Sequence, residues 1–484
     1  MAILTNIALL KMRRTKIVAT LGPASDTTEK IERLVAAGVD MFRLNMSHGS
    51  HEQHAANLAR VRQAANDAKR PIAVLADLCG PKIRVGKFPD GGIDLVPGAE
   101  VVVTTRRVAG EPGLIPSQYT ALAEDVHPGA RVLLADGVME LRVESVTGTE
   151  VTCRVVQGGR LTDRKGINLP DVEVSAPSLT EKDRADASFI LDQGVDFLAL
   201  SFVRRREDMD QLRTLMSAYQ RQAALVAKIE RPEALSDIDG ILDASDAIMI
   251  ARGDLGVELP PEQVPAIQQQ LLDRARQRNN PVIVATQMLE SMVSNSRPTR
   301  AEVTDVSHSV AVGTDAVMLS AETAAGKYPV EAVEMMDRIA RQAEAHLWRQ
   351  EAFGSLTLSG DDTPPIAFGT AVARSTALLS RDLKVRAVVV MSESGMSAGT
   401  MSSARPAAPI IAISSNASTC RRMALSWGAI PVQVQQEDLE DRTELSRNIV
   451  SDIGLAEPGS YILLVQGFHA ETERNTPSIT LLAV

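Results

Sequence analysis

Eight short runs of Val, Ile, Leu and Ala recur between residues 16 and 322, and they limit what this chain can fold into. They lie at 16–22, 41–47, 71–77, 197–203, 224–230, 247–253, 281–287 and 316–322. Runs that stay apolar, rather than alternating with polar residues, belong in a parallel sheet covered on both faces. Helical stretches separate most of them, for example at 28–37, 207–219, 262–279 and 302–312. Eight strand-then-helix units point to a TIM (β/α)8 barrel, with a doubly wound open sheet as the structural alternative.

A chain of 484 residues exceeds what one core organises, so further domains are expected. The rhythm breaks after the third run, where about 100 residues precede the next helix, too many for a plain loop. There, short strand-like pieces alternate with Gly and Pro turns, which reads as a small β-barrel inserted at the barrel's C-terminal face. After the eighth run, a helix leads to a linker at 360–365, and strands then alternate with helices in a three-layer α/β domain. The expected boundaries are a disordered N-terminal extension at 1–11, a barrel at 12–80 and 178–348, an inserted lid at 81–177, and a C-terminal regulatory domain at 349–484.

The formal net charge of -10 argues against nucleic acid or an anionic membrane as partner, since both need a basic surface. No uncharged run approaches membrane-spanning length. Cys79, Cys153 and Cys420 are far apart, with no spacing for a zinc site or a disulfide framework, and fit a reducing cytoplasm.

Barrel enzymes carry their chemistry at the C-terminal strand ends. Here those ends supply Pro23; Arg43, Asn45, Ser47 and His48; Asp77; Ser201; Lys228 and Glu230; Arg252, Gly253 and Asp254; Thr286 and Gln287; Ser320 and Glu322. Glu230 and Asp254 offer hard oxygens suited to Mg²⁺ or Mn²⁺, and Lys228 adds a fixed positive charge for an anionic group. That combination suits phosphoryl or enolate chemistry. His48, His51 and His54 recur every third residue, but helix periodicity separates them and no carboxylate completes a metal set.

Several ordered motifs carry a resemblance. Lys16-Ile-Val-Ala-Thr-Leu-Gly-Pro-Ala-Ser25, Arg43-Leu-Asn-Met-Ser-His-Gly49, Gly80-Pro-Lys-Ile-Arg84, Lys165-Gly-Ile-Asn-Leu-Pro170, Lys228-Ile-Glu230, Ala251-Arg-Gly-Asp-Leu-Gly256, Ala285-Thr-Gln-Met-Leu-Glu-Ser-Met292 and Met318-Leu-Ser-Ala-Glu-Thr323 stand in the order and spacing of one family. The chain closely resembles pyruvate kinase over residues 14 to 484. The resemblance implies Mg²⁺-dependent phosphoryl transfer from phosphoenolpyruvate to ADP, giving pyruvate and ATP in the last step of glycolysis.

On that reading Glu230 and Asp254 hold the metal, and Lys228 neutralises the phosphoryl oxygens in flight. Arg43 clamps the phosphoryl group, although taken alone it fits a structural ion pair equally well. Gly253 admits the substrate carboxylate to nearby backbone amides, and Thr286 binds that carboxylate too. Thr286 and Ser320, near Glu322, relay the proton that completes pyruvate, the competing role for such hydroxyls being backbone capping. Arg84, Lys165, His48 and Asn45 contact the nucleotide, and the inserted domain closes as a lid that excludes water.

Many members need K⁺, held by the equivalents of Asn45, Ser47, Asp77 and the carbonyl of Leu78, with a glutamate two residues before the hinge arginine. Here Lys82 stands in place of that glutamate, and its ammonium is expected to supply the charge K⁺ would bring, so that K⁺ is not required; Leu78 and Val85, where threonine is usual in K⁺-dependent members, agree, and the competing reading is a surface lysine with K⁺ still bound. In the C-terminal domain, Ser392, Ser394, Gly395 and Ser397 are expected to form a phosphate-cradling loop before a helix, the competing reading being a simple Ser-rich helix cap. The resemblance implies an allosteric effector there, a sugar monophosphate or AMP, acting within a homotetramer. The competing readings are another Mg²⁺-dependent barrel enzyme of the aldolase or lyase kind, and a catalytically silent sugar-phosphate sensor.

Overall fold

The computed structural model describes residues 13–170, 172–219, 222–350, 352–353, 365–468 and 472–484. The expected extension at 1–11 and most of the linker at 360–365 lie outside them. Eight parallel strands close into a barrel in chain order: Lys16–Thr20, Met41–Asn45, Ala73–Asp77, Phe197–Leu200, Ala224–Ile229, Ala247–Ala251, Val282–Ala285 and Ala316–Leu319. Alternation along each strand builds two cores. Val18, Met41, Leu75, Val226, Met249 and Ile283 fill the barrel, while Ile17, Ala19, Val74, Leu225, Ile248 and Val284 pack outward against the helices. Side-chain caps start several of those helices: Thr27, Ser50, Thr180 and Thr299 each accept from a backbone amide of the first turn.

The foot of the barrel carries a repeat that the sequence reading did not pick out. Asp40, Asp196, Asp246 and Asp315 immediately precede the second, fourth, sixth and eighth strands. Each accepts a backbone amide from the start of the preceding strand, namely Ile17 (2.9 Å), Val74 (2.8 Å), Leu225 (2.7 Å) and Val282 (2.9 Å). Each also meets an arginine: Arg13, Arg62, Arg213 and Arg405 respectively. Edge amides that no strand partner reaches are satisfied this way, with the charge cancelled on the spot.

The lid follows the third strand as a curled six-stranded sheet with a separate two-stranded ladder, Gly92–Leu95 against Gly159–Thr162, around its own core of Val103, Ile115, Leu134, Leu141 and Val151. The C-terminal domain is a five-stranded sheet with helices. Strands Ala429–Gln433, Ile410–Ser414, Val388–Met391 and Tyr461–Gln466 run parallel and Ser478–Ala483 closes antiparallel. This domain docks under the barrel by feeding arginines to the foot. Arg405, 2% exposed, reaches Asp315 at 2.9 Å and stacks on Trp427, and Arg421 reaches Asp196 at 2.7 Å. Among the described residues no helix is long and apolar enough to cross a membrane.

Several strands stop earlier than their apolar runs suggest. The sixth ends at Ala251, and Arg252, Gly253 and Asp254 open the helix Arg252–Glu258. The eighth ends at Leu319, with Glu322 on the short helix Ala321–Ala324. Tertiary closure ends the ladder there, because beyond the rim no neighbouring strand offers partners.

Candidate active site

The fourth, fifth and sixth strands bring the mouth together. Lys228, 9% exposed, points inward from the fifth strand, and its Nζ reaches Ser201 Oγ at 2.7 Å, Glu230 Oε1 at 2.8 Å and Asp77 Oδ1 at 3.3 Å. Burial works against the charge, but Asp77 and then Glu230 outweigh it and hold the ammonium's pKa above its ordinary value. Asp77 is shared. Arg43 donates Nε to Asp77 Oδ2 at 2.7 Å and its NH1 to Thr20 Oγ1 at 3.2 Å. Burial alone would raise the Asp77 pKa, yet Lys228 and Arg43 together pull it below the usual carboxylate range.

Glu230 is fixed from behind, accepting the amide of Phe202 on Oε2 at 2.8 Å. Asp254 is different. Among the described residues its carboxylate has no ion pair and no side-chain hydrogen bond. Burial, and then the charge of Glu230, push its pKa up to about 6. Two converging carboxylates with one unneutralised ask for a cation. Among the described residues no three His, Cys, Asp or Glu side chains cluster as a metal set. A two-carboxylate site suits Mg²⁺ or Mn²⁺, whose remaining positions go to water and substrate oxygens.

The sixth and seventh strands add a tight loop. Thr286 and Gln287 have positive φ, 73° and 54°, a costly conformation for a β-branched residue. Its geometry is held from both sides, by Arg252 donating to the Thr286 carbonyl at 3.1 Å and by the Gly253 amide donating to Thr286 Oγ1 at 2.6 Å. A Cβ on Gly253 would lie 3.2 Å from that oxygen, so glycine lets the two segments meet. The Gly253 amide is thus engaged by Thr286.

Glu322 is fully buried, and its two oxygens accept the amides of Leu289 (3.0 Å) and Ser320 (2.7 Å), so it braces the loops. Ser201, named at a strand tip but given no role, proves central: it accepts from Lys228 and donates to the Leu78 carbonyl at 2.7 Å. No motif spacing linked Ser201 to Lys228, since they meet only across adjacent strands.

Between lid and barrel lies a cavity of about 310 Å³, lined by Lys82, Arg84, Asp136, Lys165, Arg204, Arg231, Asp254 and Glu258. Arg84 and Lys165 therefore share one cleft, next to Asp254. His48 is exposed nearby, with its pKa lowered by partial burial and then by Lys82, Arg84 and Arg43. Asn45 turns inward on itself, accepting the Ser47 amide at 3.1 Å. Lys82 is exposed on the rim, where its charge favours the ionised form of Asp254; no hydrogen bond or ion pair among the described residues joins it to Asn45, Ser47 or Asp77. His51 pairs with Asp186 and His54 with the His48 carbonyl, each at 2.8 Å.

A larger cavity, about 490 Å³, lies at the opposite end, between the barrel foot and the C-terminal domain, and holds none of these mouth residues. In that domain the Ser392 hydroxyl accepts the Ala398 amide at 3.2 Å and Ser394 the Met396 amide at 3.4 Å. Gly395 (φ 96°) turns the chain into the helix Met396–Ser403, and Ser397 is buried in its first turn.

Two family models match, "Pyruvate kinase, barrel domain" over residues 12–333 and "Pyruvate kinase, alpha/beta domain" over residues 370–481. The chain belongs to the pyruvate kinase family. It is 43% identical over 459 residues to a pyruvate kinase of Geobacillus stearothermophilus, covering 94% of this chain and 78% of that one. It is 41% identical over 475 residues to a pyruvate kinase of Agrobacterium vitis, covering 98% and 97%. The crystal structure of a pyruvate kinase from Cryptosporidium parvum superposes with a TM-score of 0.90 at 32% identity, over 98% of this chain and 97% of that one. Membership makes the chain a phosphotransferase, and its barrel, curled lid sheet and C-terminal α/β domain are the family's fold.

Proposed function

We propose that this chain transfers the phosphoryl group of phosphoenolpyruvate to ADP at the barrel mouth and releases pyruvate and ATP. The observation that carries the reading is the cluster of Lys228, Glu230 and Asp77 beside the unneutralised Asp254, in a chain of this family. Glu230 and Asp254 would hold a divalent cation. When bound, such a cation supplies Lewis-acid polarisation and stabilises developing enolate charge.

The side chains divide the remaining work. Lys228, held between Ser201 and Asp77, keeps its proton and places a fixed positive charge for the phosphoryl oxygens. Arg43 presents a guanidinium already oriented by Asp77 and Thr20, so little ordering is lost when it grips phosphate. Thr286 orients the substrate carboxylate. With Glu322 committed to backbone amides, Ser320 and Thr286 are left to pass the proton to the enolate. Arg84, Lys165, His48 and Asn45 serve the nucleotide under the lid.

Lys82 takes the part of K⁺, and with Asp77 already paired to Arg43 and Lys228, Asn45, Ser47 and the Leu78 carbonyl need no monovalent ion. The loop of Ser392, Ser394, Gly395 and Ser397 takes the phosphate of a sugar monophosphate or AMP, and the subunits act as a cytoplasmic homotetramer. An aldolase or lyase would leave Arg84 and Lys165 facing an empty lid cleft. ATP formation from phosphoenolpyruvate and ADP, measured with Mg²⁺ varied and K⁺ replaced by tetramethylammonium, tests the reading. Rapid Mg²⁺-dependent turnover in both salts is expected. No ADP-dependent loss of phosphoenolpyruvate would sink the function, and turnover only with K⁺ would sink the role of Lys82.

A further inference from the structure

Arg231 and Glu258 have no part in the mechanism above, yet each sits one step from a metal-holding carboxylate. Arg231 directly follows Glu230. Glu258 lies four residues after Asp254 on the Arg252–Glu258 helix, a spacing that puts both carboxylates on one face. The two side chains pair at 3.0 Å and are only 8% and 2% exposed.

Both also hold the lid. Arg231 donates to the Val172 carbonyl at 3.0 Å, and Glu258 Oε1 accepts from Asn168 Nδ2 at 3.0 Å. Asn168 belongs to the lid strand Ile167–Asn168, three residues after Lys165. Glu258 Oε2 is buried and has no hydrogen-bond partner among the described residues, so Oε1 alone carries the Glu258 side of the junction, beside the Arg231–Val172 contact. Next to it the lid turn at Gly137 approaches Val257, to which a Cβ there would come within 3.6 Å. The lid is thus registered against the elements that carry Glu230 and Asp254.

We propose that Arg231 and Glu258 are positioning residues: they latch the lid through Asn168 and Val172, and so set the separation of Lys165 from Asp254 across the cleft. This rests on the reading that the cleft takes the nucleotide. Neither residue touches the reacting atoms. A rigid pair does the job better than a mobile one because a charge-assisted bond to a buried carboxylate tolerates little displacement. Arg231 is held independently by Glu233, at 2.7 Å, so loosening the lid side leaves it charge-paired.

The test is Asn168→Ala in the full-length chain, which removes the lid's donor and leaves the Arg231–Glu258 pair intact. We expect the KM for ADP to rise about five- to twenty-fold, the loss of one hydrogen bond to a charged group, with the KM for phosphoenolpyruvate within about twofold. Amide exchange at 166–169 should quicken while that of the barrel strands stays as it was. Asn168→Ser, which keeps a donor, should recover part of the affinity. Glu258→Met combined with Asn168→Ala should cost clearly less than the product of the single changes, since each removes one side of the same hydrogen bond. Unchanged exchange at 166–169, an unchanged KM for ADP, or multiplicative single effects would each overturn the latch. Lys165→Met separates the two readings. If it raises the KM for ADP and Asn168→Ala does not, the latch fails alone; if neither does, the nucleotide cleft fails and takes the latch with it.

Discussion

The two ends of the barrel use the same residue types to opposite effect. At the foot, Asp40, Asp196, Asp246 and Asp315 each hold one strand amide and face an arginine. At the mouth, Asp77 and Glu230 share one lysine, and Asp254 is left over. Burial pushes the carboxyls of Asp40, Asp77 and Asp254 alike toward the neutral form. At Asp40, Arg13 and Lys16 reverse that and pull the pKa below its ordinary value, whereas at Asp254 the charge of Glu230 adds to it. A closed charge ledger makes a joint and an open one makes a site. The C-terminal domain shows the first principle in use, since Arg405 and Arg421 join it to the foot by completing two such pairs.

The largest effect should come from removing the buried lysine at the mouth. Lys228→Met should lower kcat by about a thousandfold or more, the scale for losing a charge aimed at the transition state, as read by ATP formation. A loss under tenfold would make Lys228 another joint.

Breaking the foot should do the reverse. Arg405→Met strands Asp315 and should cost about 3 kcal/mol or more of stability in chemical unfolding, because the uncompensated charge stays buried. The kcat of the folded enzyme should stay within about twofold, since no mouth residue is touched. A large fall in kcat with unchanged stability would show that the foot is part of the machinery.

A subtler contrast lies in pH. The folded chain keeps a proton on Asp254 up to about pH 6, against an ordinary carboxylate value of 3.8, so between those values it binds more protons than the unfolded chain. Its contribution to metal-free stability therefore falls as pH rises through that window and stays lost above it. Asp40 has the opposite sign, with its stabilisation present above the ordinary carboxylate range and lost as pH falls through its lowered folded value. In metal-free unfolding midpoints at pH 7, Asp254→Asn should stabilise and Asp40→Asn should destabilise. Equal signs would erase the distinction between the two ends.

Ser320→Ala should have the smallest effect, roughly a tenfold loss in proton delivery to the enolate with phosphoryl transfer retained. Single-turnover rates of the two steps, followed separately, check it.

Much of this protein was legible in its residues. The eight apolar runs marked the barrel, because a strand covered on both faces needs nothing but apolar side chains. The abrupt charges of Lys228 and Glu230 marked its mouth. Motif order carried the family. The strand ends were less legible: 247–253 reads as one run, but pairing stops at Ala251, where the neighbouring strand also ends.

What only the tertiary structure decided were contacts between residues far apart in sequence. Ser201 finds Lys228 across adjacent strands, Glu322 finds Leu289, Arg405 finds Asp315, and Asn168 finds Glu258. Side-chain type and local periodicity establish which residues can be buried and which face they take. Whether a buried charge ends up neutralised depends on partners tens to hundreds of residues away, and only the closed fold brings them within 3 Å of one another.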